Sequence, residues 1–237
     1  MTGTRAPGGE TIIGSRYNGP PGSGNGGWTA GTFAALLDGG TTVPSAQVTL
    51  RTPPPLETPL SVRTAGEGIS VHAPDGTLVA EAIPVPVALE PIPPVSFAEA
   101  EAISLGFPGF TAHPFPTCFV CGPERAPGDG LRMFPGRTAG GETATPFTVP
   151  DDVSAATVWA ALDCPGGWSV EVEARPYVLG RVSTHVAAVP EPGSRCVVMG
   201  RRLVTEGRKA SVAVTLYDPA GTALAWSRAT WIAIAGT

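Results

Sequence analysis

The order of elements in this chain of 237 residues occurs twice, and that recurrence limits the fold more than any local pattern does. A glycine-rich loop leads into an apolar helical run over residues 28–37, closed by Asp38-Gly-Gly40. Strand-like stretches follow at 46–51, 60–63, 68–72 and 78–82. The last two flank Pro74-Asp75-Gly76-Thr77, whose Asp-Gly pair marks a tight hairpin turn. The second half again has a helical run, near 155–168, and then strands at 180–186, 196–199, 210–216 and 224–233. Val48 against Val182 is an offset of 134, and aligning Asn25-Gly26-Gly27 with Ser154-Ala155-Ala156 gives 129. An insertion of about five residues around 164–168 reconciles the two.

The halves are expected to be domains over 11–95 and 113–237, joined by a proline-dense connection over about 86–116 with a short helix at 96–104. Residues 1–10 read as an irregular tail, and the first strand is expected at 11–14. Charged residues make up 15% of the chain and the formal charge is −5, so the basic footprint of a nucleic-acid binder is missing. No apolar run approaches a membrane span and the start has no apolar signal core, so the expectation is a cytoplasmic protein.

Chemistry concentrates in the second helical run, where one carboxylate, Asp163, interrupts Val158 to Trp168. Trp159 and Leu162 share a helical face, which puts Asp163 at or near a buried surface. It either caps the turn formed by Cys164, Pro165 and two glycines or serves a reaction. In the first half, Asn25-Gly26-Gly27 starts the helix, with Asn25 as its N-cap or as a ligand-orienting group.

One helix followed by antiparallel strands, given twice, resembles the double hot-dog arrangement: an α+β fold of two antiparallel sheets, each wrapped around a central helix. Cys118-Phe-Val-Cys121-Gly-Pro followed by Gly130-Leu-Arg is similar to the opening segment of single-domain acyl-CoA thioesterases of that superfamily. In those enzymes an Asn-Gly-Gly or His-Gly-Gly element starts the helix, and a carboxylate about nine residues later acts as base or nucleophile. Here each half keeps one part: Asn25, Gly26 and Gly27 in the first, Asp163 in the second, with Ala34 and Ser154 at the complementary places. The resemblance therefore implies one composite site with Asp163 and Asn25 catalytic. It also implies that Gly26, Gly27 and Trp28 bind substrate, and that an acyl thioester of coenzyme A or an acyl-carrier protein is hydrolysed without a cofactor. A non-catalytic acyl-binding protein is the alternative. A homodimer of such double units is compatible with either.

Arg202 and Arg208 sit in a basic hairpin that could meet coenzyme A phosphates or could merely be solvated. Cys118-x-x-Cys121, with His113 nearby and Cys164 distant, invites a metal reading. A structural zinc site usually shows a second close pair, so the expectation is no metal and thiols that pack as small hydrophobes. The glycine-rich loop at 19–27 lacks the Gly-Lys-Ser/Thr ending of a phosphate loop.

Overall fold

Two strands from different halves lie side by side at the centre of the sheet. Strand β2 (Ser45–Leu50) pairs antiparallel with β8 (Tyr177–Val186), and Val48 opposes Val182, the residue that matches it in the sequence repeat. A pseudo-twofold axis thus passes through this pair. The computed structural model describes residues 9–37 and 45–234. The expected helix stop at Asp38-Gly-Gly40 and the tail over 1–8 lie outside the described residues.

Around that axis the two halves repeat. Helix α1 (Gly26–Ala34) precedes β2, β3 (Leu60–Ala65), β4 (Gly68–His72) and β5 (Leu78–Pro84). Helices α3 (Ala155–Ala161) and α4 (Cys164–Trp168) precede β8, β9 (Arg195–Glu206), β10 (Lys209–Tyr217) and β11 (Ala223–Ala233). Short strand β1 (Glu10–Thr11) flanks β3, while β6 (Gly136–Arg137) and β7 (Thr143–Thr148) flank β9. The result is one continuous antiparallel sheet in the order β1-β3-β4-β5-β2-β8-β11-β10-β9-β7-β6. The expected irregular tail therefore ends earlier than position 10, since Glu10 pairs with Ser61.

Strand alternation assigns the faces. Ala46 and Val48 of β2 are fully buried while Gln47 and Thr49, which alternate with them, are half-exposed, as a period of two requires. The inner face holds the main core around α1, α3 and α4. On the other face of the second half, Val197, Met199 and Ala213 pack against Ala100 of helix α2 (Phe97–Ser104). The proline-rich connection crosses this outer face, where Tyr217 Oη donates to Ile92 O and Trp226 Nε1 donates to Val87 O.

The two helices touch through glycines. A Cβ on Gly27 would lie 2.6 Å from both Asp163 Cβ and Trp159 O, and one on Gly31 would lie 2.7 Å from Trp159 Cβ. Only hydrogen at these two positions lets α1 approach α3 so closely. The apolar run expected as one helix is in fact broken after Ala161. Pro165 has no N–H to return to the Ala161 carbonyl, so α3 stops, and the Asp163 carbonyl accepts from Gly166 N and Gly167 N to start α4. Asp163 occupies the joint. Among the described residues, no helix is long and apolar enough to cross a membrane.

Candidate active site

The joint between α3 and α4 carries Asp163 into contact with the start of α1. Asp163 is 5% exposed, and its Oδ2 accepts from Asn25 Nδ2 and from Gly27 N, both at 2.9 Å. Asn25 is the cap that its position allowed: its Oδ1 accepts from Trp28 N at 2.9 Å, while its amide N–H is donated to the Asp163 carboxylate. The cap fixes the amide orientation, because only the oxygen can receive a backbone N–H. The other carboxylate oxygen, Oδ1, is buried without a hydrogen-bond partner among the described residues.

A buried carboxylate with a free oxygen resists ionisation. Burial pushes Asp163 up to about 7; the Gly27 N–H opposes that rise, the adjacent Cys118 adds to it, and the Asn25 amide again opposes it. The group therefore exchanges its proton near neutrality, as a general base must.

Asp163 lines a cavity of about 350 Å³ between the two halves, within the range of small-ligand sites. Its walls are mainly apolar and include Leu50 and Pro54 from the first half, and Trp168, Leu179 and Ile232 from the second. Phe115 and Cys118 come from where the proline-rich connection ends and the second half begins. That segment, read from sequence as leading into the second domain, is part of the cavity wall. Arg51 also lines the cavity, with its Nε 2.7 Å from Glu81 Oε2. It lies at the end of an alternating strand, where nothing in the sequence distinguishes it from a solvated arginine.

The expected site residues divide. Asn25, Gly26 and Asp163 line the cavity together. Gly27 does not line it, because its N–H is engaged by Asp163 and its α-carbon is pressed against α3. The Trp28 ring is outside it as well, stacked on Tyr17 at 3.7 Å and edge-on to Phe119. Arg202 and Arg208 are exposed on β9 and the turn after it, and neither lines the cavity. Alternation and turn position place them on a wet strand end, so the phosphate role expected of them has no support in the fold. Ala34 is buried, and Ser154 is tied into a capping box with Thr157, so the complementary half-site carries no carboxylate.

Beneath Asp163 sit three thiols. Cys121 Sγ lies 3.1 Å from Cys164 Sγ, and Cys118 Sγ lies 3.8 Å from Cys164 Sγ and 3.7 Å from Asn25 Nδ2. The Cys121 and Cys164 thiols, aided by backbone N–H groups of Cys121 and Val120, hold Cys118 well below the ordinary thiol range, whereas burial pushes Cys121 and Cys164 up. Burial also lowers His113, which remains neutral against this cluster.

No protein-family model matches the chain, and no curated protein does. Solved structures do match it over nearly their full length. A conserved protein of unknown function with a hot-dog fold from Alicyclobacillus acidocaldarius superposes with a TM-score of 0.62 at 14% identity, over 96% of this chain and 93% of that one. A putative thioesterase from Novosphingobium aromaticivorans gives 0.61 at 16% identity, over 95% of each chain. The tesB protein of Mycobacterium avium subs paratuberculosis gives 0.63 at 13%, over 92% and 90%. At these identities the likeness speaks to architecture, and with the internal repeat it establishes that this chain has the hot-dog fold twice over, as a double hot-dog.

Proposed function

We propose that the protein hydrolyses an acyl thioester in the cavity between its two halves, with Asp163 as the general base. The observation that carries this reading is the division of labour within one buried carboxylate: Oδ2 is clamped by Asn25 and Gly27, while Oδ1 has no partner and its side chain lines an apolar cavity. In the proposed reaction Oδ1 takes a proton from water as the water oxygen attacks the thioester carbonyl. Collapse of the tetrahedral adduct breaks the C–S bond, and the proton held on Asp163 goes to the departing sulfur. The products are a carboxylic acid and a free thiol.

The developing oxyanion needs a donor. Gly27 N–H and the Asn25 amide are already committed to Asp163, which leaves the Gly26 N–H, without a partner among the described residues, at the first turn of α1 and on the cavity wall. The apolar walls suit an acyl chain, and Arg51 suits the anionic part of a carrier such as coenzyme A or a phosphopantetheine arm. Several structural neighbours, including the Novosphingobium protein, carry thioesterase in their names, which supports this choice of reaction.

Thiol release from a panel of acyl-CoAs of increasing chain length tests the proposal. At least one should be turned over, and Asp163→Asn should lower kcat by about 10²–10⁴ with an unchanged circular dichroism spectrum. An Asp163→Asn enzyme with undiminished turnover would overturn the assignment. Tight acyl-CoA binding with no thiol release would instead support the non-catalytic acyl-binding reading.

A further inference from the structure

We infer that Cys118, Cys121 and Cys164 form a binding site for a thiophilic divalent cation, zinc by its ligand chemistry, in the wall of the cavity. The three sulfurs lie within 4.8 Å of one another and all three residues are buried. A tetrahedral zinc with Zn–S bonds of about 2.3 Å sets its sulfurs about 3.8 Å apart. The Cys118–Cys164 separation is 3.8 Å, and the Cys121–Cys164 separation of 3.1 Å has to open by about 0.7 Å to reach that spacing. Spacing in the sequence argued against a metal because it offered a single close pair. The third sulfur stands 43 positions beyond Cys121, on the first turn of α4, and only folding brings it in.

The surroundings of the sulfurs are those of thiolate ligands. The turn after Cys118 folds tightly: Gly122 N donates to Cys118 O at 2.9 Å, and a Cβ on Gly122 would lie 2.6 Å from Cys118 N and O. A tight turn of this kind presents two cysteines, three positions apart, to one ion. Cys121 Sγ faces two donors, His113 Nε2 at 3.3 Å and Trp168 Nε1 at 3.4 Å, and Asn25 Nδ2 faces Cys118 Sγ. Thiols and disulfide sulfurs are weak acceptors and do not need so many N–H groups.

His113 is not a fourth ligand in this arrangement. Its Nδ1 accepts from Phe115 N at 2.9 Å, so the ring proton resides on Nε2 and is directed at Cys121. The three cysteines and His113 all line the cavity, so the fourth coordination position opens onto it and takes water. All three sulfurs bind as thiolates, any thiol among them releasing its proton on binding, and the zinc centre then has a net charge of −1. A disulfide between Cys121 and Cys164 is the competing outcome. It would need an oxidant and would leave Cys118 unmatched.

The test is metal content of the full-length, tag-free protein purified under reducing conditions from zinc-supplemented cells. About one zinc per chain is expected. Cys118→Ser and Cys164→Ser should lower it at least tenfold. Cys196→Ser should leave it unchanged, because Cys196 is a buried thiol on β9 outside the cluster. If a cluster variant fails to fold, cobalt titration of the metal-stripped wild-type protein decides: thiolate-to-cobalt charge-transfer bands with tetrahedral d–d bands support the site, and their absence overturns it. Less than a tenth of a zinc per wild-type chain, zinc content indifferent to Cys164→Ser, or a Cys121–Cys164 disulfide in the freshly purified protein would each overturn it too. None of these readouts depends on thioester turnover, so failure here and failure of the proposed hydrolysis are separable.

Discussion

Gly31→Ala should destabilise the protein, although alanine is the better helix former. In an exposed helix this change gains about 0.5–1 kcal/mol. Here the new methyl would lie 2.7 Å from Trp159 Cβ, 2.9 Å from Ala156 Cα and 3.0 Å from Trp159 Cγ, against a normal carbon–carbon contact of about 3.5–4.0 Å. Ala156 Cα is backbone and cannot rotate away, and Trp159, itself only 4% exposed, has little room to move. Relief requires α1 and α3 to separate by close to an ångström. Overpacking of this kind costs about 1–3 kcal/mol, and a backbone atom among the contacts puts it in the upper half of that range, so the net effect after the propensity gain is a loss of about 1–2 kcal/mol. With a urea m-value of about 3 kcal/mol/M, the unfolding midpoint should fall by about 0.3–0.7 M. Gly106→Ala is the control: its Cβ meets nothing nearer than 3.5 Å, and its midpoint should change by less than about 0.5 kcal/mol equivalent. A Gly31→Ala midpoint at or above wild type would show that the helices do not pack as described, and the placement of Asp163 beside Gly27 would fall with them.

Ser96→Ala removes a capping box in which Ser96 Oγ accepts from Glu99 N and Glu99 Oε2 accepts from Ser96 N, so Tm should drop by about 2–4 °C for a loss near 1 kcal/mol. Burial raises Cys196 to about 11, with Asp218 adding to the rise, so at pH 8 only about one molecule in a thousand carries the reactive thiolate. Alkylation followed by mass spectrometry should label Cys196 in urea and leave it unlabelled in buffer. A fragment of residues 1–100 should not fold cooperatively, because it leaves the β2 edge without β8 and the glycine face of α1 without α3. A sharp, reversible unfolding transition of the soluble fragment would contradict the interlocked halves.

The fold was legible because its signals are periodic or local. Alternating strands, the Asp75-Gly76 turn and the matching order of elements all survive reading without coordinates, and the repeat offset at Val48 and Val182 turned out to name the pair on the pseudo-twofold axis. The pairing of Asp163 with Asn25 was legible only through the resemblance that assigned complementary parts to the halves. What stayed hidden depends on contacts across large separations. The broken helix at Asp163 was foreshadowed by Pro165, yet the direction of the break is set by the packing of α4, whose Gly166 fits against Val212 and Val214 of β10. Trp28 follows directly on the glycine pair, but Tyr17 and Phe119 draw its ring away from the cavity.

The asymmetry of the two halves follows from the closeness of their helices. At the crossing, α1 contributes hydrogen atoms at Gly27 and Gly31 where α3 contributes Trp159 and the backbone at Ala156 and Ala160. If both helices carried an acid and an aromatic at these places they could not approach, and with glycine pairs on both the interface would lose the aromatic that fills it. One half must be small where the other is large. The approach distance is in turn what puts Gly27 N 2.9 Å from Asp163 Oδ2, so a symmetric pair of such sites and this close a crossing exclude each other. The offset of 129 between helix starts and 134 between central strands is absorbed after Asp163, where α4 is five residues long and carries Cys164. The added turn thus does two things at once: it ends the helix so that Asp163 sits at a joint with one oxygen free, and it brings the third sulfur to the other two. On this account, deleting residues 164–168 to restore the first half's spacing should abolish zinc content and thiol release together, whereas Cys164→Ser should abolish zinc content first and affect turnover only as far as the joint loosens.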